Sequence, residues 1–270
     1  MLAALLLASV PSALPQSTAS DPDLLQAGYR ALYNLQFDQA HAIFRRWQGL
    51  HPDDPMGPVS DAAAYLFSEF DRMHVLESEL FTNDARYENR SRATPDPAAK
   101  QGFERQVALA QQLAGNALAR DPNNGNAMFA SVLALGLRGD YASLIERRDL
   151  ASLGYIKTAR GQAEKLLTLH PDYYDAYLAV GVENYLLSLK PAPVRWILSL
   201  TGAQTDKQTG LAKLRITAEK GHYLAPFARL LLAVAALRDG KPAQARGLLQ
   251  YLAGEFPQNR LYARELSKLQ

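Results

Sequence analysis

After residue 21, apolar side chains recur at helical spacing, three or four positions apart, and the pattern stops and restarts at prolines. Near "HPDDP" (Pro52), "RDPNN" (Pro122), "LHPDY" (Pro171) and "EFPQN" (Pro257), one amphipathic run ends and another begins within a few residues. Proline cannot continue a helix but sits easily just ahead of the next one, so these are repeat boundaries. A further stop falls at Gly221. No alternation of period two is long enough for a sheet, and the chain is predicted to be all-α. Five helical hairpins are expected, over about 22–50, 59–120, 124–169, 173–220 and 223–256, with a capping helix over 258–270 to cover the last apolar face.

In the first unit, Gly28 stands where two helices could approach closely, Phe37 falls in the turn, Ala40 and Phe44 lie on the second helix, and Pro52 closes the unit. That spacing resembles the tetratricopeptide repeat, a helix-turn-helix of about 34 residues. The last unit repeats the scheme with Ala233, Ala245, Leu249 and Pro257. Between them, Tyr177, Val180 and Gly181 match the first-helix pattern, and Ala159 and Ala110 with Ala117 match the second. Small residues suit backbones that cross within about 8–10 Å. The resemblance implies an α-solenoid, a right-handed superhelix of such hairpins that binds proteins on its concave face. The stretch "AAAYLFSEFDRMHVLESELF", the insert "GAQTDK" before "TGLAKL", and the terminal "FPQN" resemble a bacterial group related to the tetratricopeptide repeat protein 39 family. That likeness implies an interaction protein with no defined catalytic residues.

Successive boundary prolines lie 70, 49 and 86 residues apart, so the middle units carry more than the basic repeat. The extra segments are placed at 81–102, 139–154 and 190–206, each between the two helices of a pair. In a stacked solenoid such loops emerge on one edge and would build a rim that carries specificity. In "PVRWILSL", Trp196 and Ile197 make the third segment too apolar for an ordinary exposed loop, and they are read as an insertion lip. The plainer reading folds this segment onto the neighbouring pair as a short helix.

On the first helix of each pair, the residues facing away from its partner would line the groove. Counted from Gly28 these are Leu25, Tyr29, Leu32 and Tyr33; counted from Gly181 they are Asp175, Leu178, Val182 and Tyr185; Asn126, Phe129 and Leu133 are the third-unit equivalents. Tyrosine offers large contact area with a polar tip, which suits recognition. The ordinary alternative for each is packing against the next repeat. The Lys and Asn set with which some of these repeats clamp a C-terminal carboxylate is not reproduced, since Leu25 and Tyr29 stand at two of those places.

Composition narrows the function classes. The 270 residues carry 29 Lys/Arg against 27 Asp/Glu, and this balance calls for neither nucleic acid nor an anionic membrane. The charge is unevenly spread: residues 21–100 hold 8 basic and 13 acidic side chains, and residues 201–270 hold 11 and 5. An elongated molecule would have an acidic front and a basic back. The opening "MLAALLLASVPSALPQSTAS" has an apolar run, Leu2 to Val10, and small residues at Ser17–Ala19. It is read as an export signal of about 20 residues, which points to the bacterial periplasm. No other stretch is long and uncharged enough to be an integral membrane segment. Zero cysteines exclude disulfides and thiolate chemistry. His74 among Glu69, Asp71, Glu77 and Glu79 is the one cluster with metal-ligand spacing, and it reads better as a solvated acidic face. No phosphate-binding loop or nucleophile elbow occurs. The expectation is a non-catalytic scaffold that binds a protein or peptide, with no metal and no cofactor. The alternative is a carrier of a small hydrophobic ligand, closed over by 190–206.

Overall fold

The computed structural model describes residues 21–75, 94–188 and 206–269, and among these residues there is no strand. Among the described residues eleven α-helices follow one another: α1 (Asp21–Tyr33), α2 (Phe37–Leu50), α3 (Met56–Arg72), α4 (Pro97–Arg120), α5 (Gly125–Asp140), α6 (Asp149–Leu169), α7 (Tyr177–Ser188), α8 (Lys207–Lys220), α9 (Ala225–Arg238), α10 (Pro242–Glu255) and α11 (Arg260–Ser267). Each helix packs against the next, from α1 on α2 to α10 on α11. The fold is an α-solenoid of helical hairpins closed by a C-terminal capping helix.

The four proline boundaries share one geometry, and proline explains it. Steric conflict with the proline ring drives the preceding residue out of the helical region. His51, Asp121, His170 and Phe256 accordingly sit at φ between −126° and −138° with ψ between 68° and 99°. Each still donates its N–H to the carbonyl four residues back, at 2.7–2.9 Å. The carbonyl of each then accepts from the residue three positions on: Asp54, Asn124, Tyr173 and Asn259. One tight turn is thus repeated four times, and it launches the next helix. At three of the launches the side chain of the turn's last residue accepts a backbone N–H from that helix: Asp54 Oδ1 from Met56 N, Asn124 Oδ1 from Ala127 N and Asn259 Oδ1 from Leu261 N, each at 2.9 Å.

Close-packing positions are filled as the repeat spacing requires. A β-carbon at Gly28 would lie 2.3 Å from the Phe44 ring. Ala40, Ala110, Ala159, Ala233 and Ala245 are buried, whereas Ala117 is half-buried. The segment 139–154, expected as a rim loop, belongs to the body of the molecule. Helix α5 runs to Asp140 and continues into one π-helical turn, Tyr141–Ile145, before Arg147 turns the chain at φ 57° into α6. Tyr141 stacks on Phe103 with ring centroids 4.7 Å apart, and Ile145 is buried. Residues 97–102 likewise form the first turns of α4. The rest of the two other expected insertions, 81–93 and 190–205, lies outside the described residues, and Trp196 and Ile197 with it. Among the described residues, Gly125–Ile145 alone has the length and apolar composition of a membrane span, and more than half of it is buried in the protein.

The two ends of the solenoid meet. Phe67 of α3 packs edge-on against Phe227 of α9, Tyr33 of α1 against Phe256, and Arg260 of α11 pairs with Asp71 of α3 at 2.6 Å. The acidic front and basic back expected of an elongated molecule are therefore neighbours. The larger of two apolar clusters among the described residues runs from Leu24 in α1 to Tyr262 in α11, and the second gathers Tyr185, Leu214 and Leu232.

Candidate interaction site

Closure decides the fate of the expected groove. Tyr29 is 4% exposed, stacks on Tyr223 at 4.9 Å and accepts a hydrogen bond from Ser60 Oγ at 3.1 Å. Tyr33 donates its hydroxyl to the Tyr223 carbonyl at 2.9 Å. Burial pushes both phenols far above their ordinary range. Leu25, Leu32 and Phe129 are buried as well. Tyr185 is buried, its hydroxyl has no hydrogen-bond partner among the described residues, and burial pushes its pKa up to about 12. Leu178, Val182 and Leu133 are half-buried, and exposed Asn126 donates to Asp54 Oδ1 at 2.8 Å. Most of the residues expected to line a groove are packed inside the protein. Leu25, Tyr29, Tyr33, Phe129, Asp175 and Tyr185 are core residues and present no surface to a partner.

Asp175 shows what replaces recognition there. Its carboxylate, 6% exposed, accepts from the backbone N–H groups of His222, Tyr223 and Leu224 at 2.9–3.2 Å, the orphan donors at the start of α9. Burial raises its pKa, and the three donors oppose that rise. Several other buried charges are also held in structural pairs. Asp61 is fully buried beside His41, Oδ1 to Nδ1 at 2.5 Å. Glu183 meets Arg160 at 2.7 Å. Glu69, expected on a solvated acidic face, is 3% exposed; it accepts two hydrogen bonds from Arg72 and one from Asp96 N. His74 is exposed at the end of that helix with φ 56°, and no group of three metal-binding side chains forms among the described residues.

A cleft remains open where the two ends meet. Its walls include Leu35, Phe67, Phe227, Leu230, Leu261 and Glu265. Leu35, Phe67, Phe227 and Leu230 are half-buried, and Leu35 is held at φ 60° in the α1–α2 turn. The Phe67 and Phe227 rings lie 5.6 Å apart, edge to face. The Glu265 carboxylate, buried in the wall, accepts from Lys268 Nζ at 2.8 Å. None of these residues stood out by spacing. Asn259 belongs to the "FPQN" boundary, but neither its capping role nor its partner 226 residues away was legible in the sequence.

No family model matches the chain, and no curated protein matches it. Among solved structures the chain is similar to a thermophilic TPR protein from Thermus thermophilus, at 16% identity and a TM-score of 0.46 over 93% of this chain and 98% of that one.

Proposed function

We propose that the chain is a protein-interaction scaffold without catalytic function, and that the shallow apolar recess between its two ends, with room for about one water molecule, is a surface contact patch for a partner protein. One observation carries this reading: the Phe67–Phe227 pair and Leu35 stay only half-buried on the inner side of a solenoid whose other inward aromatics are largely packed away. The buried charges already described are engaged in caps and ion pairs, which leaves the cleft without a reactive group beyond an ion-paired glutamate.

The test is in-cell crosslinking and capture with wild type beside the double variant Phe67→Ala/Phe227→Ala, helicity being matched by circular dichroism. Truncating two anchor rings should lower capture of a specific protein by roughly tenfold or more. Equal capture by both would remove the cleft from the binding surface. The carrier alternative makes a separate demand: a stoichiometric small molecule in a solvent extract of the purified protein, seen by mass spectrometry.

A further inference from the structure

Burial sorts the helices into two layers. More than half of α3 and of α5 is buried, but only three of the fourteen residues of α2 and four of the twenty-one of α6. The second helix of each pair therefore belongs to the outer layer. Charge follows the same division: α2, α4, α6, α8 and α10 carry 13 Lys/Arg and 6 Asp/Glu, whereas α1, α3, α5, α7 and α9 carry 5 and 7. The near-zero balance of the whole chain thus hides an outer surface that favours anions. On that surface Arg45 of α2 is held in a fixed pose. Its side chain is 56% exposed, yet Nη2 donates to the Tyr65 hydroxyl at 2.9 Å and Nε lies 3.8 Å from Asp61 Oδ2. Asp61 is fully buried, and its Oδ2 has no hydrogen-bond partner among the described residues. Its Oδ1 meets His41 Nδ1, and the His41 ring packs on the Tyr65 ring with centroids 4.2 Å apart. Tyr65 fits there because α4 offers it a glycine: a β-carbon on Gly102 would lie 2.4 Å from the Tyr65 ring. Arg45 Nη1 and His41 Nε2 are left without a partner among the described residues. The Tyr65 hydroxyl accepts from Arg45 and so keeps its own proton for another acceptor.

We infer that Arg45, Tyr65 and His41 form an oxyanion-binding station on the outer layer, and that its ligand is the carboxylate of an acidic side chain in a partner protein. A guanidinium whose orientation is already fixed loses little freedom on binding, and its free edge matches a planar carboxylate. Buried Asp61 supplies the fixing charge from behind, where the ligand does not reach. The exposed charges of α2 and α4 keep the sign positive, with Arg45, Arg46, Arg105 and Arg120 against Asp38 and Glu104. A lipid surface would engage cations spread over a plane and would need none of them held. The hydroxyl clamp on Arg45 favours one directed carboxylate instead. The station does not depend on the recess between the two ends of the chain, which is lined by other residues.

The test is the anisotropy of a rhodamine-labelled hexaglutamate peptide titrated with the full chain at low salt. Wild type should bind it saturably, and added salt should weaken the complex. Arg45→Gln should lower affinity by roughly tenfold. Tyr65→Phe leaves every charge in place and removes only the hydroxyl that holds Arg45, so a loss of about threefold or more is expected from the freed arginine. Arg215→Gln removes an exposed arginine of α8 and should change affinity by less than about twofold. Circular dichroism checks that each variant is folded. Phe67→Ala/Phe227→Ala should bind the peptide as wild type does, so failure of the recess and failure of the station are read separately. No saturable binding by wild type, equal losses for Arg45→Gln and Arg215→Gln, or an unchanged affinity for Tyr65→Phe would each overturn the station. Arg45-dependent binding of inorganic phosphate, measured by calorimetry, with no binding of hexaglutamate would overturn the carboxylate as its ligand.

Discussion

A β-carbon on Gly210 would sit 2.6 Å from the Tyr185 backbone nitrogen and 3.0 Å from the Gly181 carbonyl oxygen. The obstacle is backbone, which cannot turn aside as a side chain can. Helices α7 and α8 would have to separate along their length. Gly210→Ala should therefore cost about 2–3 kcal/mol, measured as a lower urea midpoint. Gly247, in α10, has nothing within 4 Å of its would-be β-carbon. There the same substitution removes only chain entropy and should stabilise by about 0.5–1 kcal/mol. Asp140 offers a different single-residue test. Burial pushes its carboxyl up to about 7, while in the unfolded chain it titrates near pH ~3.9. Below pH ~4 both states hold the proton, and between pH ~4 and ~7 only the folded state does, so stability falls as pH rises through that window. Asp140→Asn should match wild type below the window and exceed it above, and a pH series of denaturation midpoints checks this.

Among the elements, the start of α9 depends on a residue from the previous hairpin. Asp175 gathers the N–H groups of 222–224, so Asp175→Ala would leave three donors without their acceptor. The expected loss is about 3 kcal/mol, seen as a lower thermal midpoint with faster amide exchange at 222–226. The helices themselves were legible because proline imposes a local geometry that needs no tertiary context, and the four boundaries obey it. The segment 139–154 was not legible in the same way, because length in excess of a repeat does not by itself mean a loop. A π-helical turn lets α5 absorb the extra residues while it keeps Tyr141 and Ile145 in the core. The role of Asp175 was hidden for a related reason. Helical spacing shows which way a side chain points, and nothing in the sequence showed that an unpaired helix start lay opposite it.

For the molecule as a whole, closure changes how the fold comes apart. In an open solenoid each hairpin touches only its neighbours, so terminal units can melt first. Here the first hairpin is held by the last through Tyr29 on Tyr223, Tyr33 on Phe256 and the Asn259 cap. The sequence could not show this, because the meeting of ends depends on small crossing angles accumulated over five hairpins. Trp47, buried on α2 against Gly57 of α3, reports the first hairpin, and Trp196 is the one other tryptophan. In a Trp196→Phe background, the fluorescence of Trp47 and the helical circular dichroism signal should give the same urea midpoint, as one cooperative unit requires. An open stack would instead show Trp47 responding at a lower urea concentration than the bulk helix signal. Deleting 257–270 from that background removes Asn259 and α11 but no residue of the first hairpin. It should pull the Trp47 midpoint below the circular dichroism midpoint, because the end that lost its partner is then free to melt alone.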